Sequence, residues 1–260
     1  MAHILDLEGG CNFRDLGGYR TGDGRRLRHG LLFRSGVLSY FNEQDLERLR
    51  DLGVRTICDF RRINERRDEP TRWPDDSTEI LFWDDGPEQH EKGELSLYEC
   101  QTPEAARETM ASLYRSMPKW LEPRLRGMFD RIAEGNIPLV FHCAAGKDRT
   151  GLAAALLLHS VGVPREVIIE DYRLTNEAVD LEDFFNRHRF AGLGLNDPDH
   201  PLTSIPTAVR QMLMAAHEDF LVAALDQIEQ EHGCLDSYLE DRLGLTSQRR
   251  ARVQSVLLTD

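Results

Sequence analysis

Val140-Phe141-His142-Cys143-Ala144-Ala145-Gly146-Lys147-Asp148-Arg149-Thr150-Gly151 sets a cysteine and an arginine with five residues between them, flanked by two apolar runs. Ile137 to Phe141 is short and partly β-branched and reads as a buried strand, whereas Thr150 to Ser160 is rich in Ala and Leu and reads as a buried helix. A loop running from a strand into a helix N-terminus aims several unpaired backbone N–H groups at one point, and the helix dipole adds partial positive charge there. Such a loop suits an anion, phosphate above all. The same field favours a thiolate, so Cys143 reads as a nucleophile. Arg149 can grip two phosphate oxygens with its planar fork, and catalysis of phosphoryl transfer is mostly positioning and charge stabilisation. Lys147 adds a second, more mobile positive charge. Ala144, Ala145 and Gly146 let the backbone curl close to the anion. Thr150 can cap the helix or donate to the thiolate, and His142 can set the field behind it.

Other readings of this stretch fail on its details. A nucleotide-binding loop needs glycine five positions before its Gly-Lys lysine's neighbouring glycine and Ser or Thr after the lysine; Phe141 and Asp148 stand there instead. A sulfur-transfer loop of the rhodanese type has a shorter cysteine-to-arginine spacing. A cysteine at a strand end is often a small buried hydrophobe, yet the glycine, lysine and arginine beside Cys143 have no use in that role.

His142-Cys143-x-x-Gly146-Lys147-x-Arg149-Thr150-Gly151 resembles the signature of cysteine-dependent tyrosine and dual-specificity phosphatases. Asn12-Phe-Arg14-Asp-Leu-Gly-Gly-Tyr19, Leu32-Phe-Arg34-Ser-Gly36, Gly53-Val-Arg-Thr-Ile-Cys58-Asp59-Phe-Arg61 and His232-Gly-Cys-Leu-Asp-Ser-Tyr-Leu-Glu240 extend the likeness over nearly the whole chain. They narrow it to the bacterial atypical protein tyrosine and dual-specificity phosphatases, a group with mycobacterial and listerial members. The resemblance implies a phosphomonoester hydrolase working through a phosphocysteine. Its substrates would be phosphotyrosine, with phosphoserine, phosphothreonine and phosphoinositides as extensions, and inorganic phosphate would sit in the active site. The competing expectation is a catalytically silent phosphate-recognition module.

Composition sets limits on that expectation. At 260 residues, 40% hydrophobic and 30% charged, the chain can bury one sizeable core, so a single phosphatase domain over 1–260 is expected. No apolar stretch reaches the roughly 18 residues of a membrane helix, and the start lacks a signal-peptide pattern, which makes the cytoplasm the default. Cys11, Cys58, Cys100, Cys143 and Cys234 form no Cys-x-x-Cys and no Cys/His cluster, so neither a disulfide framework nor a metal is expected, and no cofactor. A net charge of −13 argues against nucleic acid or anionic membrane as a general partner. Locally the balance reverses. Six arginines against two aspartates lie between Arg14 and Arg34, and Arg61, Arg62, Arg66 and Arg67 follow a strand; they either draw anionic substrates to the cleft or are surface charges in salt bridges.

Element order predicts an α/β, phosphatase-type fold: a central, mostly parallel sheet flanked by helices, with helical lid insertions. Gly17-Gly18 and Thr21-Gly-Asp-Gly24 carry turn chemistry in a hairpin-like opening. Asn42 is a good N-cap flanked by Phe41 and Leu46 at the spacing of a hydrophobic staple, and Gly53 ends that helix. Strands follow at Val54–Phe60, Glu79–Trp83 and Ile137–His142. Ligands of parallel sheets bind at the carboxyl ends of the strands, where Cys143 and Asp59 both fall. Residues 84–102 and 180–206 read as cover. Within the second, Leu181, Phe184, Phe185 and Phe190 form either an apolar lid over the site or a satellite core, and 180–206 is the candidate lid segment. Val209, Leu213, Phe220, Ala224 and Ile228 recur at helical spacing in Thr207–Glu231 and read as packing.

A general acid must protonate the leaving oxygen. Asp148 is preferred, because its place just before the loop arginine resembles that of an aspartate in myotubularin-type lipid phosphatases; Asp59 is the rival, and proximity in sequence does not decide such roles. Cys58, one residue before Asp59, could trap an oxidised Cys143 if it faced the loop and is a small core residue otherwise.

Overall fold

The computed structural model describes residues 3–84, 97, 99–188 and 205–259. Its centre is a six-stranded sheet in the order β1 (His3–Ile4), β2 (Arg14–Asp15), β4 (Leu32–Ser35), β7 (Leu139–His142), β5 (Thr56–Asp59) and β6 (Glu79–Phe82). The last four run parallel, and β1 and β2 are added antiparallel at one edge. The strand expected over Ile137–His142 begins at Leu139, two residues late, because Pro138 has no N–H to give a ladder. Every residue of β4, β5 and β7 is buried, as parallel strands covered on both faces should be. A second pair, β3 (Arg26–Leu27) with β8 (Leu258–Thr259), ties the hairpin-like opening to the C-terminus.

Register places the chemistry. Ser35 and Asp59 stand on either side of His142 in β4 and β5, so three strand ends converge beside Cys143. α1 (Glu43–Arg50) begins at Asn42 with a reciprocal capping box: Asn42 accepts from Asp45 N–H at 2.8 Å and Asp45 accepts from Asn42 N–H at 3.2 Å. Phe41 and Leu46 share one buried cluster, as the staple requires. α2 (Ile63–Asp68) follows β5 directly.

α3 (Pro103–Glu134) is a 32-residue helix with Pro118 and Pro123 in its interior. Such prolines argue for a break in an isolated helix. Tertiary burial overrides them: Met110, Tyr114, Met117, Leu121, Leu125, Met128 and Phe129 are all buried in the main core, and α9 (Glu218–His232) packs along the helix. α4 (Asp148–Ser160) descends from the phosphate-loop candidate through the centre of that core, then α5 (Arg165–Arg173), α6 (Thr175–Ala178) and α7 (Leu181–His188) follow.

The helical stripe expected over Thr207–Glu231 is two helices, α8 (Thr207–Met214) and α9, although Val209, Leu213, Phe220, Ala224 and Ile228 are all buried. Ala215 is extended, and outside groups take over the hydrogen bonds a continuous helix would make. Asn176 brackets Ala216, accepting from its N–H at 2.7 Å and donating to its carbonyl at 3.1 Å, while Lys147 donates to the carbonyls of Leu213 and Ala215. α10 (Leu235–Asp241) and α11 (Ser247–Leu257) close the chain. Among the described residues no helix is long and apolar enough to cross a membrane.

Candidate active site

β7 delivers Cys143 to the mouth of α4, and Gly146 makes the loop between them possible. Its φ is +65°, and a Cβ there would meet Gly36 N at 2.5 Å and Ser35 C at 2.6 Å, so both the backbone angle and the space demand glycine. Cys143 and Ala144 are buried. The loop carbonyls are tied to the body of the protein: Ala144 O accepts from Val37 N–H at 2.8 Å, and Gly146 O accepts from Asn12 Nδ2 and Arg34 Nη2 at 2.9 Å each. Thr150 is buried with its hydroxyl 3.5 Å from Ser35 O, so it braces the loop against β4.

Arg149 is held as a rigid fork. Its Nη1 and Nη2 donate to the two carboxylate oxygens of Glu65 at 2.7 Å each, and Nη1 donates also to Phe60 O at 3.2 Å. Glu65 also accepts from Arg62 N–H at 2.7 Å as the capping residue of α2. Burial works to raise the Glu65 carboxyl, but Arg149 and Arg62 outweigh it and bring it down to about 2. Glu65 is therefore a carboxylate across the physiological range.

The two candidate acids stand in different surroundings. Asp148 is partly exposed; Tyr114 donates to its Oδ1 at 2.7 Å and Lys147 Nζ lies 3.4 Å from the same oxygen. Its Oδ2 has no protein partner among the described residues. Burial first, then Asp148 and Tyr172, push the Tyr114 phenol far up, so it remains a donor, and the Tyr172 hydroxyl lies 2.7 Å behind it. Tyr172 also explains Gly151: a Cβ there would meet the ring at 2.8 Å. Asp59, by contrast, is fully buried and both its oxygens are taken by Arg61, at 2.7 to 3.1 Å. His142 Nε2 lies 3.5 Å from the same carboxylate, and its Nδ1 lies 3.3 Å from Cys143 O. Burial opposes ionisation of Asp59, but His142 and Arg61 outweigh it and hold the carboxyl well below the usual range.

Not every sequence expectation converges on the loop. Lys147, expected as a mobile charge, is buried with its ammonium on the last carbonyls of α8. Most of the described arginine-rich strip is absorbed in ion pairs: Arg14 and Arg34 with Asp171, Arg25 with Asp23, Arg61 with Asp59, Arg66 with Asp84 and Arg67 with Asp68. Cys58 is buried in the main core beside Phe141 of β7, and burial pushes its thiol up. The cysteine that reaches the loop is Cys11, whose thiol lies 3.8 Å from Ala145 O.

Leu181 and Phe184 pack with Cys11 and Val37 on Ala144, and the Phe184 ring meets Tyr40 edge-on at 5.9 Å. The Phe185 side chain, Phe190 and residues 189–204 lie outside the described residues. Sequence reasoning missed Glu65, Tyr114 and Asp171. Glu65 carried a faint signal, three residues after Arg62 at a helix start; Tyr114 carried none, since it comes from a helix more than thirty residues away along the chain.

The model of the tyrosine phosphatase family matches residues 5–259. A Cupriavidus necator protein provisionally named a tyrosine-protein phosphatase is 32% identical over 247 residues, covering 93% of this chain and 84% of its own length. The triple specificity protein phosphatase PtpB of Mycobacterium tuberculosis is 30% identical over 279 residues, covering 98% of this chain and 99% of its own length. With the match running from just after β1 through the cysteine loop to β8, the chain belongs to the tyrosine phosphatase family.

Proposed function

We propose that the protein hydrolyses phosphotyrosine through a phosphocysteine intermediate. The observation that carries this reading is the loop at the head of α4, where Cys143 at the end of a strand, carbonyls turned into the protein body and an arginine fixed by Glu65 are on one short segment. In the first step Cys143 Sγ attacks phosphorus, the S–P bond forms, and the bond to the tyrosyl oxygen breaks as Asp148 gives that oxygen its proton. In the second, water attacks phosphorus, Asp148 takes the water's proton, and the thiolate leaves with inorganic phosphate released. Arg149 and the loop amides hold the three equatorial oxygens throughout.

Asp148 is favoured as the acid because it is partly exposed and keeps one oxygen clear of protein partners among the described residues, whereas both Asp59 oxygens bind Arg61. Asp59 reads better as the group that steadies His142 behind the nucleophile. Ala144, Ala145, Gly146 and Thr150 shape the cradle. For Lys147 the support is weaker, since its ammonium is engaged with α8. The same engagement removes one argument for phosphoinositide substrates, which rest on family resemblance, as do phosphoserine and phosphothreonine; the name of the mycobacterial relative, a triple specificity protein phosphatase, supports breadth beyond phosphotyrosine without saying in which direction.

The test is Cys143→Ser. Hydrolysis of a small aryl phosphate in the presence of a chelator, and of a phosphotyrosine peptide, should be abolished while inorganic phosphate still binds. More than a few per cent residual turnover would move the chemistry away from Cys143. Phosphate binding with no turnover by the parent protein on a panel of tyrosine, serine, threonine and inositol phosphates would return the recognition-module reading.

A further inference from the structure

Two of the sequence blocks outside the cysteine loop, Asn12 to Tyr19 and Leu32 to Gly36, meet behind it. A trans peptide is planar, and its C=O and the following N–H point in opposite directions. Fixing three successive loop carbonyls therefore fixes three successive amides. Ala144 O is held by Val37 N–H at 2.8 Å; Ala145 O has Asn12 Nδ2 at 3.5 Å; Gly146 O has Asn12 Nδ2 and Arg34 Nη2, both at 2.9 Å. The opposed N–H groups belong to Ala145, Gly146 and Lys147. All three point to the other side of the loop, and among the described residues they have no protein acceptor. Gly146 O is the best held of the three, with both of its lone pairs occupied.

The donors are themselves fixed. Asn12 has φ +57°, a conformation asparagine tolerates better than most residues, and its Oδ1 accepts from Arg14 Nη1. Arg34 Nη1 donates to Asp171 Oδ2 at 2.5 Å, and Arg14 Nε and the Tyr19 hydroxyl donate to Asp171 Oδ1 at 3.4 and 2.8 Å. Both guanidiniums are fully buried. Burial, and then Arg34, pull Arg14 down to about 10, which leaves it charged at neutral pH. Burial acts to raise the Asp171 carboxyl, but Arg14 and Arg34 outweigh it and hold it low. Two cations and one anion leave a surplus positive charge buried against the back of the loop. Buried ion groups are costly and poor stabilisers in themselves, and a surplus charge needs a counter-charge that folding alone does not provide.

We propose that Asn12 and Arg34 are positioning residues of the phosphate loop: Asn12 holds the Ala145 and Gly146 carbonyls and Arg34 the Gly146 carbonyl, so that the amides of Gly146 and Lys147 face the phosphate, and the Arg14–Asp171–Arg34 group supplies the fixed positive field beneath it. The proposal rests on reading residues 143–149 as the phosphate site. Donors fixed before the reaction cost no reorganisation when charge develops, and removing one such donor commonly slows a reaction by about two orders of magnitude; an indirect loss through a loosened peptide should be smaller.

Asn12→Gly removes the amide without straining a positive φ, and Arg34→Lys keeps the charge while losing the fork. Each is made in the parent chain for kinetics and on Cys143→Ser for calorimetric binding of inorganic phosphate. Both variants should fold, bind phosphate about tenfold more weakly, raise KM for an aryl phosphate and lower kcat, with dependence on leaving-group acidity unchanged. Arg34→Met, which removes the field as well, should lose more phosphate affinity than Arg34→Lys. If the arginine variants do not fold, Asn12→Gly decides alone. Folded Asn12→Gly with phosphate affinity and KM within twofold of the parent overturns the proposal and leaves the loop reading intact. Absence of phosphate binding by the Cys143→Ser parent, or turnover surviving in it, overturns both.

Discussion

Glu65 and Arg149 form a two-pronged pair, with Nη1 and Nη2 each 2.7 Å from one carboxylate oxygen, at the junction of α2 and the head of α4. The pair turns a long, rotamer-rich side chain into a fixed fork. Replacing Glu65 by Gln keeps the shape and loses the charge. The variant should raise KM and lower kcat together, because Arg149 is then poorly placed in both ground and transition states. Glu65 is lowered from 4.5 to about 2 in the folded protein, so its contribution to stability is full above about pH 4.5 and is lost as pH falls through 2. Denaturant unfolding at several pH values should therefore show Glu65→Gln less stable by about 1–3 kcal/mol at pH 7, with the gap closing below pH 4.5. A gap that stays constant down to pH 2 would mean the pair has no stabilising charge.

Asp148 receives the Tyr114 hydroxyl, which in turn stands against Tyr172. With phosphotyrosine or an alkyl phosphate, Asp148→Asn should cost about 10²–10⁴-fold in kcat, and far less when the leaving group is already acidic. Tyr114→Phe removes the hydrogen bond to Asp148, about 1 kcal/mol, together with the one shared with the Tyr172 hydroxyl, and reaches the reacting atoms through Asp148. It should cost about three- to tenfold with the same leaving-group dependence. Equal losses on all leaving groups would remove Asp148 from the acid role.

Asp59 gives a matching prediction of opposite form. Its carboxylate is held low by His142 and Arg61 against the burial that opposes it, so it stabilises the fold above the ordinary aspartate range and that stability is lost in acid. Asp59→Asn leaves the buried Arg61 guanidinium without its counter-charge, although Glu69 O and the Thr71 hydroxyl still accept from it, and should destabilise by about 3–5 kcal/mol. Any loss of turnover should be equal for acidic and basic leaving groups. Steep leaving-group dependence here, and none in Asp148→Asn, would reverse the two assignments.

The contrast between these carboxylates marks where sequence reading runs out. The loop, its strand and its helix were legible because local chemistry specifies them: apolar runs of the right length, a glycine at the one point where the chain cannot carry a Cβ, and a capping box at Asn42. What surrounds a side chain depends on contacts distant in sequence. Asp59 and Asp148 were both aspartates near a cysteine; that one binds Arg61 with both oxygens and the other meets Tyr114 follows from β5 lying next to β7 and α3 crossing near α4. The arginines illustrate the same limit. Charge clustering between Arg14 and Arg34 was visible, but Asp171, which binds two of them, stands far along the chain. Pro118 and Pro123 misdirect any local reading of α3, because its stability comes from the buried face.

Lys147 separates local from distant control most sharply. Within the loop it reads as a phosphate ligand, yet its ammonium donates to Leu213 O and Ala215 O, at the end of α8 where unpaired carbonyls and the helix dipole favour a cation. Lys147→Met preserves the stem and removes these bonds, each worth about 1.5–3 kcal/mol for a charged donor. Amides over Thr207–Ala216 should exchange with solvent faster in the variant, while kcat and KM for a small aryl phosphate change by less than about threefold, since an ammonium seated on α8 contributes little of the phosphate grip. A rise in KM of tenfold or more with exchange over α8 unaltered would place the ammonium on the phosphate during turnover, and with it restore the charge that an inositol phosphate would need.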